Sequence, residues 1–187
     1  GATRRIGLGR VNGRRFAFNA GIGFDAELVR RIDEQGRADD GRRPGDAAFV
    51  RAAVGLVTAR RGRFPPSLEI EGAGRAAFAL VANCDPYTYA GKVPIRVSRG
   101  ASFDLGLDVV APRAVSPGGI PRLLVELRRG AVGRPGLTVL HDMERVVVRC
   151  DEPMPLQIDG EDLGDVVEAV FESEPRAVDA LVPGSGG

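Results

Sequence analysis

Cysteine, histidine and lysine are scarce in this sequence of 187 residues, and tryptophan is absent. The two cysteines, Cys84 and Cys150, fit no metal-binding or redox spacing, so we expect two buried thiols in a reducing compartment. His141 is the only histidine, and no nucleophile-elbow pattern accompanies it, which argues against a Ser-His-Asp mechanism. We therefore expect His141 in a loop or at a strand edge, and no zinc cluster.

Long apolar runs and a strong charge of either sign are also missing. No stretch approaches the roughly 18–20 apolar residues that span a membrane, and the first residues lack a signal-peptide core. The net charge is +1, and the arginines lie in small clusters without the concentrated basic face of a nucleic-acid binder. These absences predict a cytoplasmic protein that binds no nucleic acid, with peripheral contact to a membrane left open.

The composition is that of a globular protein, 43% hydrophobic and 27% charged. The length suits one domain over residues 1–187 with a core of its own. Many short segments with strand-like apolar patterns lie between turn residues, which predicts a mainly β fold resembling a sandwich. The predicted strands cover residues 4–11, 15–19, 67–71, 76–82, 93–97, 103–109, 145–150, 156–159, 166–172 and 178–182.

Helical spacing of apolar residues occurs in segments that we expect at the periphery of the sheet. Asp25 is a suitable N-cap for the first helix, and Gly62 and Gly130 are suitable stops for the second and third. The predicted helices cover residues 26–34, 46–61 and 120–129.

The segment Gly21-Ile22-Gly23-Phe24-Asp25-Ala26 matches a loose dinucleotide-binding pattern between a strand and a helix. A phosphate-binding role is unfavourable here, because Asp25 would place a negative charge where the helix N-terminus should attract a pyrophosphate. The segment instead predicts a tight turn in which Asp25 caps the helix.

The segment Leu156-Gln157-Ile158-Asp159-Gly160-Glu161 ends a predicted strand with an Asp-Gly pair, a strong signal for a two-residue hairpin. Strand alternation places the side chains of Gln157 and Asp159 outward. The same residues would hold two carboxylates, Asp159 and Glu161, at one turn, where one of them could act as a general base. On the sequence alone, both the structural and the catalytic interpretation stay open.

Asp104 and Asp108 are predicted on the polar face of one strand, residues 103–109. Their spacing is too long for both to chelate a single ion. One carboxylate could still bind a hard cation together with backbone carbonyls and water. The alternative is a pair of solvent-facing acids on an amphipathic strand.

Residues 83–91 form a polar and aromatic loop that follows a buried strand. Loops mounted on rigid strands often carry binding or catalytic residues. The alternative is a long connection in which Tyr87 and Tyr89 pack over the edge of the sheet.

Taken in order, several of these segments resemble the second domain of the diacylglycerol-kinase catalytic family, which includes bacterial lipid kinases and sphingosine and ceramide kinases. The resemblance covers nearly the whole chain and is most specific at Gly-Ile-Gly-Phe-Asp, residues 21–25, and Asp-Gly-Glu, residues 159–161. It implies a C-terminal β-sandwich that meets an N-terminal nucleotide-binding domain at a cleft. The glycine-rich nucleotide loop of that domain does not occur here, so the N-terminal domain is expected to be missing from this chain.

The resemblance also implies roles for individual residues. Glu161 matches the acid that accepts the proton of the lipid hydroxyl, and Asp159 would lie beside it to order the phosphate or metal region. Asp25 and Asn83 would lie in the cleft that receives the substrate.

A metal and a nucleotide are implied in the same way. Asp104 matches an acid that helps to hold Mg²⁺, together with main-chain carbonyls near Ala101 and Gly106. The expected cofactors are ATP and Mg²⁺, and the expected partners are a lipid alcohol and the missing nucleotide-binding domain. A surface left bare by that domain could also support a homodimer.

The resemblance thus predicts ATP-dependent phosphorylation of a lipid hydroxyl, with this chain inactive by itself. One alternative is a non-catalytic β domain that binds a lipid or another ligand without a phosphoryl donor. The other is a hydrolase that uses Glu161 with a second carboxylate as an acid–base pair.

Overall fold

The computed structural model describes residues 2–34, 46–90 and 93–182. The strands are β1 (Ala2–Val11), β2 (Arg14–Phe16), β3 (Asn19–Ile22), β4 (Leu68–Ile70), β5 (Gly74–Ala76), β6 (Ala79–Ala82), β7 (Thr88–Ala90), β8 (Val93–Ile95), β9 (Leu107–Pro112), β10 (Leu137–Met143), β11 (Arg145–Ile158) and β12 (Glu161–Val182). The helices are α1 (Phe24–Glu34), α2 (Asp46–Ala59) and α3 (Ile120–Arg129).

The strand pairs within this described part of the chain are antiparallel, which confirms a mainly β fold. One sheet of ten strands has the order β10-β9-β6-β3-β11-β12-β1-β2, and β4 and β5 branch from β11. The strands β7 and β8 form a separate hairpin.

The branch exists because β11 is a long, bent strand. Its first half pairs with β4 and its last residues pair with β3, so that its two ends belong to two different layers. Between them the register against β12 shifts, from Arg149 to Met154. Pro153 and Pro155 lie at this bend, and a proline cannot donate a hydrogen bond to a neighbouring strand. The predicted strands at residues 145–150 and 156–159 are therefore one strand.

The two layers enclose a common apolar core, as expected of a sandwich. Strands on both sides of the bend contribute fully buried side chains that belong to one cluster. They include Val11 of β1, Phe171 of β12, Ile22 of β3, Val81 of β6 and Val109 of β9. This shared core confirms the sandwich-like architecture.

A second apolar cluster lies on the other face of β6 and β9. It packs Leu80 and Val110 against Leu127 of α3 and against the aromatic side chains of Phe64 and Phe78. The strand β6 is consequently buried on both sides, as its continuous apolar sequence predicts. The predicted strand at residues 76–82 is interrupted at residues 77–78, where β5 ends and β6 has not begun.

The predicted strand at residues 15–19, which would place Phe16 and Phe18 on one face, is not continuous. The chain leaves β2 after Phe16, bends at residues 17–18 and enters β3 at Asn19. Phe16 is therefore buried in the core, whereas Phe18 is exposed and its ring lies 6.2 Å from that of Phe103 in a T-shaped arrangement.

The predicted strand at residues 103–109 is also wrong in its first half. Residues 103–105 form a turn and bend, and β9 begins only at Leu107. Asp104 is exposed in that turn, while Asp108 is fully buried in β9. The two acids thus do not share a polar face, because β9 is covered on both sides and has no solvent-facing residues.

The helices agree more closely with the sequence predictions. The helix α3 has the predicted bounds, and α2 ends two residues early, before Gly62 with its positive φ of 66°. The helix α1 begins at Phe24, ahead of Asp25. The prediction that Asp25 is the N-cap is therefore wrong, and its carboxylate has other partners.

Replacing Phe16 and Phe18 in turn tests whether the first side chain is buried and the second exposed. Phe16→Ala should lower the free energy of unfolding by about 3–5 kcal/mol, because it leaves a cavity in the core. Phe18→Ala should cost about 1 kcal/mol or less, because the side chain is exposed. Urea unfolding curves of both variants measure the difference, and equal losses would contradict the break between β2 and β3.

Candidate functional site

The Asp159–Gly160 pair forms the predicted two-residue hairpin turn between β11 and β12. Ile158 pairs with Glu161 across the turn. Both turn residues have positive φ angles, 46° at Asp159 and 79° at Gly160, as a type I′ turn requires. The Asp-Gly pair is suited to this geometry because both residue types tolerate it.

The carboxylate of Asp159 holds the turn against the connection between β2 and β3. It accepts backbone hydrogen bonds from Ala17 at 2.6 Å, Phe18 at 2.8 Å and Asn19 at 3.0 Å. The backbone N–H of Asp159 in turn donates to the carbonyl of Asn19 at 2.9 Å. These bonds satisfy the N–H groups of the bend at residues 17–18, so the role that Asp159 visibly performs is to anchor backbone.

Gln157 is the centre of a buried polar cluster beside the turn. Its side-chain amide donates to Asp25 at 2.7 Å and to Asn19 at 3.0 Å, and lies 3.2 Å from the Tyr87 hydroxyl. Its carbonyl oxygen accepts the N–H of Gly160 at 2.9 Å. Strand alternation predicts an outward side chain at Gln157. That side of the strand is covered, so the side chain is almost fully buried.

Tyr87 links this cluster to the loop at residues 83–91. Its hydroxyl donates to Asp25 at 2.6 Å, and its carbonyl accepts the side-chain amide of Asn19 at 2.8 Å. The Tyr87 ring is buried in the second apolar cluster, whereas Tyr89 is exposed. The loop therefore contributes to the site through Tyr87, a residue whose role the sequence left open.

Two glycines allow the chain to place Asp25, which is half-buried, against the sheet. A side chain at Gly21 would collide with the Asp25 carboxylate, so only glycine allows this close approach. Gly23 has a φ of 90°, which lets the chain turn sharply from β3 into α1. The Gly-Ile-Gly-Phe-Asp segment thus serves to bury a carboxylate, and the tight turn that the sequence predicts is confirmed.

Burial is the main electrostatic influence on Asp25. It raises the pKa of this carboxyl above its ordinary 3.8, and the hydrogen bonds from Tyr87 and Gln157 oppose the shift only partly. Burial and the neighbouring Asp25 charge also raise the pKa of Tyr87 well above its ordinary value. Both donors reach Oδ2 of Asp25, and Oδ1 has no hydrogen-bond partner among the residues described.

A cavity of about 700 Å³ opens beside this cluster. Its walls are mostly aliphatic and aromatic side chains from α1, α2, α3 and the neighbouring strands. At one end the polar residues converge, and they are Asn19, Asp25, Tyr87, Gln157, Asp159 and Gly160. The volume is typical of a small-molecule site, and the division into apolar walls and one polar end suits an amphipathic ligand.

The other predicted cleft residue, Asn83, has a structural environment. It is fully buried, and its amide donates to the carbonyls of Ala17 at 2.8 Å and Gly7 at 3.1 Å. Its side-chain oxygen is buried without a partner in the described structure. Asn83 follows β6, whose last residue pairs with Asn19 at the start of β3. Asp25 instead follows the other end of β3, and Asn83 does not line the cavity.

Glu161, the predicted proton acceptor, lies directly after the Asp159–Gly160 turn. Its side chain is 63% exposed and pairs with Arg14 at 3.5 Å. It does not line the cavity, although Gly160 does. The hairpin thus places Glu161 on the surface next to the polar end of the cavity.

The residues predicted to hold Mg²⁺ do not form a magnesium site as they stand. The carboxylate of Asp104 is paired with Arg4, and a cation there would have to displace the guanidinium. The N–H of Gly106 donates to Asp142 at 2.6 Å. No group of three or more potential side-chain ligands occurs in the described ranges, and the roles of Asp104, Ala101 and Gly106 stay predictions.

The pairing of Asp108 with His141 is not predicted from the sequence. The buried carboxylate of Asp108 receives His141 Nδ1 at 2.7 Å and the N–H of Asp142 at 3.0 Å. The hydrogen bond and the charge of Asp108 raise the pKa of His141 above its ordinary 6.5. His141 lies on β10 at the edge of the sheet, as predicted, but no sequence pattern signals its pairing with an acid 33 positions away.

Three solved structures from Bacillus anthracis str. Sterne share this fold. One is a diacylglycerol kinase with 13% sequence identity and a TM-score of 0.57, and it matches 95% of this chain and 53% of its own. Two are candidate diacylglycerol kinases with 14% and 16% identity and TM-scores of 0.60 and 0.57. Both match 95% of this chain, which covers 57% and 55% of theirs.

At these identities the likeness shows the fold, the β-rich part of those proteins. The chain spans a little over half the length of each of the three. No protein-family model and no curated protein matches the sequence significantly. None of the helices described is both long and apolar enough to cross a membrane.

The raised pKa of Asp25 predicts a distinctive pH dependence of stability. Because its pKa is raised in the folded state, the folded protein holds the proton more tightly than the unfolded chain does. This contribution is complete below the ordinary pKa near 3.8 and is lost as the pH rises through the raised pKa. Asp25→Asn removes the titrating group, so its stability relative to the wild type should improve as the pH rises over that window.

Urea unfolding at a series of pH values measures this relative stability. Asp33→Asn is the control, because Asp33 lies on the same helix and is exposed. Its curve should run parallel to that of the wild type. Parallel curves for Asp25→Asn as well would show that Asp25 is not a strained buried carboxyl.

Proposed function

We propose that this chain is the lipid-binding half of an enzyme that transfers the γ-phosphoryl group of ATP to a lipid hydroxyl. The observation that carries the proposal is the apolar cavity whose one polar end is formed by Asp25 and the Asp159–Gly160 turn. The shared fold with the diacylglycerol kinase structure supports it. The nucleotide-binding domain would belong to sequence other than these residues.

The cavity fits an acyl chain joined to a polar head. Leu28, Val57 and Leu123 are among its aliphatic wall residues, and Phe24, Phe64 and Phe78 add aromatic surface. Burying an apolar chain in such walls contributes about 25 cal/mol per Å² of removed surface. The polar groups at the far end would bind the hydroxyl and fix its direction.

Asp25 is the group best placed to hold that hydroxyl. Its Oδ2 is engaged by Tyr87 and Gln157, which orient the carboxylate and leave Oδ1 to accept a hydrogen bond from the ligand. Glu161, one residue beyond the turn, would receive the proton as the hydroxyl oxygen attacks phosphorus. Arg14 would have to release Glu161 for this step, because the two side chains pair in the structure.

ATP and Mg²⁺ are the cofactors that this reaction requires. Mg²⁺ supplies positive charge that offsets the phosphates during transfer. The predicted role of Asp104 in holding the ion would require Arg4 to release its carboxylate. The contribution of the chain is to bind the lipid, orient its hydroxyl and provide the proton acceptor.

A non-catalytic lipid-binding domain is the second candidate function. It is favoured by the exposure of Glu161 and its pairing with Arg14, which keep the proposed proton acceptor outside the cavity. A hydrolase is less suited, because the two acids flanking Glu161 in the sequence are engaged: Asp159 accepts three backbone N–H groups and Asp162 pairs with Arg30 at 2.7 Å. Lipid binding without any phosphoryl transfer would support the binding domain.

Glu161→Gln tests the catalytic assignment. In the two-domain enzyme it should lower kcat by at least about 100-fold, the range expected for loss of a general base. Its stability should change by no more than about 0.5 kcal/mol, because the side chain is exposed. Transfer of labelled phosphate from ATP to a panel of lipid alcohols measures the rate.

The matched control is Glu168→Gln, since Glu168 also lies on β12 and pairs with an arginine at the surface. It should retain wild-type turnover. Near-normal phosphorylation by Glu161→Gln would remove Glu161 from the role of proton acceptor.

Val57→Phe tests whether the cavity holds the acyl chain. The larger side chain fills part of the wall on α2, so the longest accepted chain no longer fits. The value of kcat/KM for that chain should fall at least about tenfold, with short chains little affected. Val167→Phe on the exposed face of β12 is the control, and equal loss for all chain lengths would place the acyl chain elsewhere.

A further inference from the structure

The cavity opens through a rim of exposed apolar side chains. Val54 of α2 is 56% exposed, Tyr89 of β7 is 61% exposed and Leu124 of α3 is 52% exposed, and all three also line the cavity. Side chains that both line a cavity and face solvent lie where it opens. We call Val54, Tyr89 and Leu124 the rim.

The outer face of α3 extends the rim with positive charge. Leu123 and Leu127 line the cavity from its inner face, whereas Leu124 and Val125 point to solvent. Arginines share that outer side at positions 122, 128 and 129, all of them exposed. The one acid of the helix, Glu126, accepts two hydrogen bonds from Arg134 at 2.8 and 2.9 Å and one from Arg122 at 3.0 Å, so Arg128 and Arg129 carry the unopposed charge of this face.

This combination differs from an ordinary surface helix. The outward face of such a helix is polar, and only the inward stripe is apolar. A short apolar patch flanked by arginines is instead what a helix in the interfacial layer of a membrane presents. Anionic headgroups complement the arginines, and the interfacial region receives the apolar and tyrosine side chains.

We propose that the rim and the outer face of α3 dock on a phospholipid bilayer that carries anionic headgroups. The cavity then opens toward the acyl layer, and a lipid passes between bilayer and cavity without exposing its chains to water. The inference rests on the proposed function and deepens it, because it specifies that the substrate is taken from a membrane surface.

Sedimentation with vesicles tests the docking surface. The protein should bind vesicles of equal parts phosphatidylcholine and phosphatidylglycerol more tightly than vesicles of phosphatidylcholine alone. Leu124→Gln should weaken binding to both by about tenfold, the effect of removing one inserted leucine side chain. Arg128→Gln should weaken binding about fivefold on the anionic vesicles and leave the neutral ones unchanged.

Leu181→Gln is the matched control, because Leu181 is the same residue type, is 81% exposed and lies on β12 away from the rim. It should bind vesicles like the wild type. Equal losses for Leu124→Gln and Leu181→Gln would overturn the inference. So would a wild type that ignores vesicles, or a dimer that Leu124→Gln converts to a monomer, since a second copy would then cover the rim.

A separate assay tests the proposed function. Phosphorylation of a short-chain lipid that is dissolved as a monomer needs the cavity but no membrane. If that activity is normal and vesicle binding is absent, the docking surface is wrong and the kinase proposal stands. If vesicle binding follows the pattern above and no lipid alcohol is phosphorylated, the docking surface stands and the kinase proposal fails.

Discussion

The polar end of the cavity depends on the carboxylate of Asp159. It accepts hydrogen bonds from the backbone N–H groups of Ala17, Phe18 and Asn19. These bonds join the β11–β12 turn to the connection between β2 and β3. Hydrogen bonds to a charged acceptor are about twice as strong as neutral ones. The same bonds stabilise the bend at residues 17–18, where the chain leaves β2. They also fix the turn that separates Gln157 from Glu161.

A buried polar cluster is tolerated only when its members satisfy one another. Gln157, Asn19 and Tyr87 meet this condition around Asp25, and the absence of a side chain at Gly21 lets the carboxylate approach the backbone. Their bonds leave one oxygen of Asp25 without a partner among the residues described. A site with this arrangement is pre-organised, because binding a hydroxyl requires little change in the surrounding groups.

The cavity, the turn and the exposed Glu161 divide the proposed reaction between two surfaces. The interior of the domain would hold the lipid and orient its hydroxyl, and the outer side of the turn would face the phosphoryl donor. The exposed position of Glu161 beside Gly160 suits such a boundary. The apolar rim near α3 would provide the opening through which the acyl chain enters.

Local patterns in the sequence predicted the elements that depend on neighbouring residues. These include the Asp-Gly turn, the bounds of α3 and the stop at Gly62, three residues beyond the end of α2. Turn chemistry, helix stops and strand period act over a few residues, so they can be read along the chain. The resemblance to a lipid-kinase family likewise rested on short motifs in a particular order, and the solved structures show the shared fold.

Only the tertiary structure decided which polar residues meet and which outward faces are covered. Gln157 and Asp25 are 132 positions apart, and Asp108 and His141 are 33 apart. Strand alternation assigns a side to Gln157 and Asp108 but does not say whether water or another layer lies there. That depends on long-range packing, in which α1 and Tyr87 cover the sheet beside Gln157 and turn an apparent surface position into a buried one.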